Sequence, residues 1–332
     1  MRSRTILNIV LSFVVGGGFL LLAFRTVSVG ELGAAFGRLD ARWLGPALAI
    51  SLLLQVFRAW RWQLELRPLQ RIGLGRLWVV TSVAYMAINL LPVRLGEFVR
   101  PWLLSRRSTV SFSNVVGNLL VEKTMDSMVI VVYILVGLLT TADLPVWVRR
   151  GAVFPAVAAL ALAAVVGLLW WRGEEFVDRR LVRHLPTRLG TGGLRILRAL
   201  IDGMRIIPDP RLLAAVGAVS LGLWCLPILS SYVMIRAFHL DVPFNAALIV
   251  FIFIGFGTAL PQAPGMIGTY QYACVLALGL FDVPQPEALA YGLLLNAIQL
   301  FTLVAQGLVA LPLAGVSLDE IVRARRTVAE AA

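Results

Sequence analysis

The sequence predicts an all-α integral membrane protein with about six spanning helices plus two re-entrant helical hairpins in an inverted repeat. Three observations predict it: the apolar load, the placement of arginine between apolar runs, and a proline break that recurs in both halves. Apolar residues make up 59% and charged residues 14% of the 332, where a soluble chain carries about a quarter charged. Mean hydropathy is +0.85. A hydrocarbon core about 30 Å thick takes roughly 20 apolar residues per spanning helix. Apolar runs occur at 7–24, 43–57, 77–91, 112–141, 152–171, 212–238, 244–260, 262–281 and 288–313. The net charge of +12 resides mostly in arginines of short loops beside those runs. That placement suits anionic lipid and insertion topology rather than nucleic acid.

The first run, 7–24, follows Arg2 and Arg4 and lacks a small-x-small cleavage site, so it reads as a span and not a removable leader. Arginine then fixes the sides. The stretch 172–211 holds nine arginines and 58–76 holds Arg58, Arg61, Arg67, Arg71 and Arg76, which makes both cytoplasmic. Both termini join them, through Arg2 and Arg4 at the start and Arg323, Arg325 and Arg326 in the tail. The segments 239–243 and 282–287 contain no Lys or Arg and read as external.

Residues 92–111, with Arg94, Arg100, Arg106 and Arg107, are cytoplasmic by the same rule, yet one apolar run separates them from 58–76. One run leaves and returns to the same side only by folding back. Leu91-Pro92 supplies the break, since proline removes a backbone donor and clashes with the preceding turn. Segment 244–281 must likewise begin and end outside, and it is interrupted by Leu260-Pro261-Gln262-Ala263-Pro264-Gly265. Gly96 and Gly265 each follow a Leu-Pro proline by four residues. Each half is then span, span, hairpin, span, in opposite orientations, the plan of many secondary transporters. The alternative is that 77–91 and 244–260 are ordinary kinked spans, giving eight or nine in all.

The organisation is therefore a first membrane repeat over 1–141, with its hairpin at about 77–105, and the start of a second at 142–171. A cytoplasmic amphipathic linker follows at 172–211, then the rest of the second repeat at 212–313, with its hairpin at about 244–281, and a cytoplasmic tail at 314–332. In the linker Leu194, Leu197, Ile201 and Met204 fall at helical spacing, as in a helix lying in the interface. Trp43, Trp60, Trp62, Trp78, Trp102, Trp170 and Trp171 stand at segment ends and read as interface anchors. Cys225 and Cys274 lie in apolar runs and read as small core residues.

Polar candidates concentrate in two places. In the first hairpin, Asn89 precedes the break, and Arg94, Glu97 and Arg100 share one face of the returning arm. A guanidinium fork matches phosphate oxygens bidentately, although both arginines could instead be orientation signals. In the next span Asn114, Asn118, Glu122 and Asp126 fall at four-residue steps, with Lys123 alongside. Charge inside a bilayer is costly and marks function by default. Lys123 and Asp126 are spaced to pair, and the stripe could also tie this span to Arg94 or Arg100. In the last run, Asn296, Gln299 and Gln306 suit interhelical hydrogen bonds. No paired-His metal motif, phosphate loop or nucleophile elbow is present. No catalytic residue, metal site or cofactor is expected.

The segment Asn89…Leu91-Pro92-x-Arg94-x-Gly96-Glu97-x-x-Arg100-x-x-Leu103-Leu104 resembles the lysylphosphatidylglycerol synthase transmembrane-region family of flippase-like proteins. So does Glu122-Lys123…Asp126, with Lys where that family has Arg. The second hairpin resembles the family's Pro-Gly-Gly-x-Gly-x-x-Glu, here Pro264-Gly265-Met266-Ile267-Gly268-Thr269-Tyr270-Gln271, with Met266 and Gln271 departing from it. The resemblance adds Pro264, Gly265, Gly268 and Gln271 to the candidate substrate-binding set. It implies movement of a polar-headed lipid, anionic or phosphate-bearing, between leaflets of the cytoplasmic membrane. A membrane-embedded lipid-modifying enzyme, or a non-transporting partner of a lipid synthase or glycosyltransferase, is the alternative. Expected partners are a membrane lipid or lipid-linked substrate and no nucleic acid; a homo-oligomer or a lipid-pathway enzyme partner stays open. Family members with a further aminoacyl-transferase domain carry it after the membrane region. The short tail here implies that this activity is absent.

Overall fold

A computed structural model describes residues 2–90, 97–141, 144–176, 196, 198–257, 263–317 and 320. The described chain is helical: α1 (Arg2–Phe24), α2 (Val29–Gly37), a 3₁₀ turn (Ala41–Trp43) running into α3 (Leu44–Leu66), α4 (Leu74–Leu90), α5 (Val99–Ser105) and α6 (Phe112–Thr140). There follow α7 (Val146–Gly151), α8 (Val153–Phe176), α9 (Pro210–Ala237), α10 (Phe244–Gly257), a 3₁₀ turn (Pro264–Met266), α11 (Thr269–Gly279) and α12 (Gln285–Ala314).

Helix starts follow local chemistry. Ser28 and Glu31 form a reciprocal capping box at α2. Ser111 caps α6, and Asp209, followed by Pro210, caps α9. Gly315, left-handed at φ 53°, ends α12.

Among the described residues, four helices are long and apolar enough to cross a membrane: Ala41–Leu66, Val146–Arg172, Pro210–Ala237 and Gln285–Ala314. A fifth candidate is the bent pair Leu11–Phe24 and Val29–Gly37, which turns by 78°. Helix α6 is 29 residues long, but Glu122, Lys123 and Asp126 break its apolar run. At about 1.5 Å per residue, α4 with 17 residues and α10 with 14 fall short of a 30 Å core.

Helix α3 packs along α9, α12 along α4, and α5 fills the angle between α4 and α6. Helix α11 lies among α1, α10 and α12, while α8 leans on α6 at the periphery. There Phe154, Leu160 and Trp171 face outward, more than half exposed, as lipid-facing side chains do. One apolar core joins α9 to α12 around Met234, Cys274 and Tyr291. A second joins α3, α4, α5 and α12 around Trp62, Leu77, Met86 and Leu104.

The loops gather at two ends. At one, Asp40 N–H donates to Ala237 O at 2.9 Å, Arg38 pairs with Glu287 at 2.9 Å, and Asn245 Nδ2 donates to Thr140 O at 2.9 Å. At the other, Thr109 N–H donates to Gln70 Oε1 at 3.2 Å, and Arg107 Nη1 donates to Leu313 O at 3.3 Å.

Four expectations are revised. Helix α3 does not stop at 57; with no breaker before Pro68 it continues to Leu66 and carries Arg58 and Arg61 inside the helix. Trp62 is fully buried and anchors nothing at an interface. Cys274 is buried, but Cys225 is exposed. The end of the linker docks on protein: Ile201, Met204 and Ile206 are buried, and a Cβ at Gly117 would sit 2.0 Å from Leu200 O. The first part of that linker, the Leu91–Gly96 break and the Pro261 break lie outside the described residues.

Candidate functional site

The helical period of α3 places Arg58, Arg61, Trp62 and Glu65 on one side of that helix, and α6 presents Asn118, Glu122 and Asp126 toward it. Arg100 comes from α5. Arg61 is 1% exposed and Glu122 2%, so both charges are out of water and must satisfy each other. Arg61 Nη2 donates to Glu122 Oε1 at 2.7 Å. Its Nη1 donates to Asp126 Oδ1, and Nε lies 3.4 Å from Glu65 Oε1. Arg100 Nη1 donates to the other oxygen of Glu122, Oε2, at 2.6 Å. One carboxylate on α6 therefore clamps a guanidinium from α3 and another from α5.

The surrounding groups hold this clamp in place. The Arg100 guanidinium lies 3.8 Å above the Trp62 ring, a cation–π contact in a desolvated setting. Trp62 Nε1 donates to Asn118 Oδ1 at 3.1 Å, and Asn118 Nδ2 donates to Glu65 O at 3.3 Å. Trp224 of α9 donates to Asp126 Oδ1 at 2.7 Å. Lys123 turns away from Asp126; it is half-exposed and reaches Glu97 at 3.4 Å. The spacing suggested a Lys123–Asp126 pair, but Arg61 and Trp224 occupy Asp126 instead.

The predicted residues thus fall into two groups. Glu97, Arg100, Asn118, Glu122, Lys123 and Asp126 converge on the charged clamp and its edge. Asn89 donates to the Tyr85 carbonyl of its own helix at 2.9 Å, and Arg94 lies outside the described residues. Pro264, Gly265, Gly268 and Gln271 build a separate, packed knot. Gly265 has φ 68° and Gly268 φ 91°, conformations that favour glycine. A Cβ on Gly268 would lie 1.8 Å from Gly16 O, so α1 seats directly on this turn. Gln271 Oε1 accepts from Gly268 N–H at 2.7 Å, and Asn296 Nδ2 donates to Gly265 O at 3.1 Å. Among the described residues no hydrogen bond or ion pair joins the two groups.

Reading 58–76 as a loop concealed Arg58, Arg61 and Glu65. The signal that places them is the absence of a helix breaker between Pro46 and Pro68, with Gln55, Arg58, Trp62 and Glu65 at three- and four-residue steps. No local pattern marks Trp224, which reaches Asp126 across 98 residues of chain.

Apolar spans enclosing an ion-paired clamp define a multi-pass helical membrane protein with a charged interior. More particularly, the chain belongs to the family described as "Lysylphosphatidylglycerol synthase TM region", which matches residues 9–307. It is similar to a UPF0104 membrane protein of Methanothermobacter thermautotrophicus, 22% identical over 96% of this chain and 98% of the relative. A second UPF0104 membrane protein of that organism is 23% identical over 73% of this chain and 79% of its own length. It is also similar to the glycosyltransferase AglD of Haloferax volcanii, 23% identical over 84% of this chain but spanning only 50% of that protein.

Proposed function

We propose that this protein moves a lipid with a polar, anionic or phosphate-bearing head between the leaflets of the cytoplasmic membrane. The observation that carries the reading is the Arg61–Glu122–Arg100 clamp, which ties a spanning helix to the arm of a fold-back element. Charge of this kind inside a bilayer marks substrate or ion pathways.

Several features support the wider architecture. Helix α4 starts just after Gln70, and α5 ends just before Thr109, to which Gln70 is bonded. That supports a hairpin that enters and leaves on one side. The ends of 244–281 lie near Ala237 and Glu287, which Asp40 and Arg38 bring to one end of the molecule. Packing recurs in matched pairs: α3 on α4 and α9 on α10, α4 on α5 and α10 on α11, α5 on α6 and α11 on α12, α3 on α12 and α9 on α6. These support six spans, two re-entrant hairpins and an inverted repeat. Arg67, Arg71, Arg106 and Arg107 favour the end where Gln70 meets Thr109, and both termini, as cytoplasmic.

The carboxylates of Glu122 and Asp126 are engaged by arginine, which supports a carrier and not a lipid-modifying enzyme. The similarity to half of a protein named as a glycosyltransferase favours a second reading, a membrane unit that serves such an enzyme. Leaflet exchange separates the two. Purified protein in liposomes of phosphatidylglycerol with a head-labelled tracer should speed tracer exchange over empty liposomes, and Asp126→Asn should slow it while folding normally. A rate equal to that of empty liposomes would overturn the transport reading.

A further inference from the structure

Arg58 stands apart from the arginines of the clamp. It lies within the spanning helix Ala41–Leu66, eight residues from the end, or about 12 Å along the axis. Its Nη1 donates to Gln55 Oε1 at 3.1 Å, and the guanidinium lies 4.0 Å from the Tyr85 ring centroid. Among the described residues no carboxylate comes within ion-pair distance of it. Arg61, three residues on, has Glu65, Glu122 and Asp126 around it. Arg58 adds a cation near the clamp yet touches none of its carboxylates, and its fork stays open to another oxyanion.

That fork borders a crevice. Arg58 lines it with Ser51 from α3, Pro227 and Ser230 from α9, and Gln299 and Thr302 from α12, with aliphatic side chains completing the walls. The crevice is partly open and narrow, with a cavity volume of about 40 Å³. The hydroxyls of Ser51 and Thr302 donate back to their own helices, to Ala47 O at 2.9 Å and Ile298 O at 2.6 Å. Ser230 is different. It is 2% exposed, and its Oγ has no hydrogen-bond partner. The amide nitrogen of Gln55, beside Arg58, is likewise buried without a partner. A buried donor left unpaired is costly, and an incoming oxyanion would satisfy it.

We infer that Arg58, with the Ser230 hydroxyl, binds the phosphate oxyanion of the lipid head in this crevice, and that Arg100 is a positioning residue for α6. The lipid as the source of that phosphate rests on the transport reading; the oxyanion site itself does not. Arg100 has its charge paired with Glu122 and its face covered by Trp62, and at 4% exposure it is shut off from a headgroup. The guanidinium of Arg58 supplies the charge and the geometry for two phosphate oxygens.

The test is lipid retention by the full-length protein in nanodiscs of phosphatidylcholine doped with phosphatidylglycerol or with a phosphate-free glycosyl diacylglycerol, read by native mass spectrometry. Wild type should hold phosphatidylglycerol at least tenfold better than the glycosyl lipid. Arg58→Gln should abolish that preference, Arg58→Lys should leave part of it, and Ser230→Leu should block it by filling the crevice with the charge untouched. Displacement by inorganic phosphate would assign the site to the oxyanion alone, whereas resistance to it would assign it to the lipid head. Full preference in folded Arg58→Gln or Ser230→Leu protein would overturn the inference. Leaflet exchange on the same samples separates the two proposals. Preference lost in Arg58→Gln but no exchange by wild type leaves the site standing without transport. Wild-type exchange that is unchanged in Arg58→Gln, with preference intact, leaves transport standing without the site.

Discussion

Glu122 offers the sharpest test of the clamp, because a single carboxylate joins three helices. Its oxygens accept from Arg61 at 2.7 Å and from Arg100 at 2.6 Å, with all three side chains at most 5% exposed. Breaking a buried ion pair costs about 3–5 kcal/mol, because the remaining charge is stranded without water. Glu122→Gln keeps the shape and one acceptor but points an amide at a guanidinium. Asp126 and Glu65 still face Arg61, so the lower end, about 3 kcal/mol, is expected. For 332 residues an unfolding entropy of about 2.1 cal/mol/K per residue gives roughly 1.4 °C per kcal/mol, so the apparent melting temperature should fall by about 4 °C. Scanning fluorimetry in detergent at a fixed heating rate reads this, since large proteins often unfold irreversibly. Arg100→Met and the double variant complete the cycle. Because Glu122 and Arg100 act as a pair, the double variant should lose about 1–3 kcal/mol less than the sum of the singles. Additivity within about 0.5 kcal/mol, or a melting shift under about 2 °C, would refute the reasoning.

Two further outcomes follow from the packing. Cysteines placed at Gln70 and Ser105 should react with an impermeant thiol reagent from the same side of sealed vesicles, and the cytoplasmic one; labelling from opposite sides would remove the first hairpin. Gly268→Ala puts a Cβ into the Gly16 carbonyl at a φ of 91°. It should destabilise by at least about 2 kcal/mol through overpacking and strain. Gly17→Ala, with nothing within 4 Å, should stay within about 0.5 kcal/mol of wild type in the same thermal assay.

The helical membrane class was legible because apolar runs and arginine placement are local, additive signals. The second halves of the sites were not. Glu122 and Asp126 announced themselves by being charged inside an apolar run. Arg61 did not, since an arginine just past an apolar segment looks the same whether it ends a helix or lies within one. Pro68, not Arg58, carries the stopping information, and reading the breaker before the charge would have extended α3 by about two turns. The Lys123–Asp126 pairing failed for another reason. Neighbours on one helix compete with groups from other helices, and Arg61 and Trp224 were invisible to a spacing argument. The capping role of Gln271 was likewise hidden, because it depends on Gly268 adopting a left-handed turn that the sequence permits without requiring.

The clamp also bears on how the chain is made. Asp126 sits midway along α6, and an acidic residue at a helix centre costs about 2.5–3.5 kcal/mol to insert alone. Its countercharge Arg61 belongs to α3, and Arg100, the second partner of Glu122, belongs to α5; both helices leave the ribosome first. Arg61 and Arg100 are therefore already at the membrane when Glu122 and Asp126 emerge. The awkward helix enters a bilayer where its partners wait, and Trp224 of α9 closes over Asp126 only about a hundred residues later. The order of segments along the chain thus acts as a biogenesis schedule, in which the carboxylates of α6 are delivered after the helices that neutralise them.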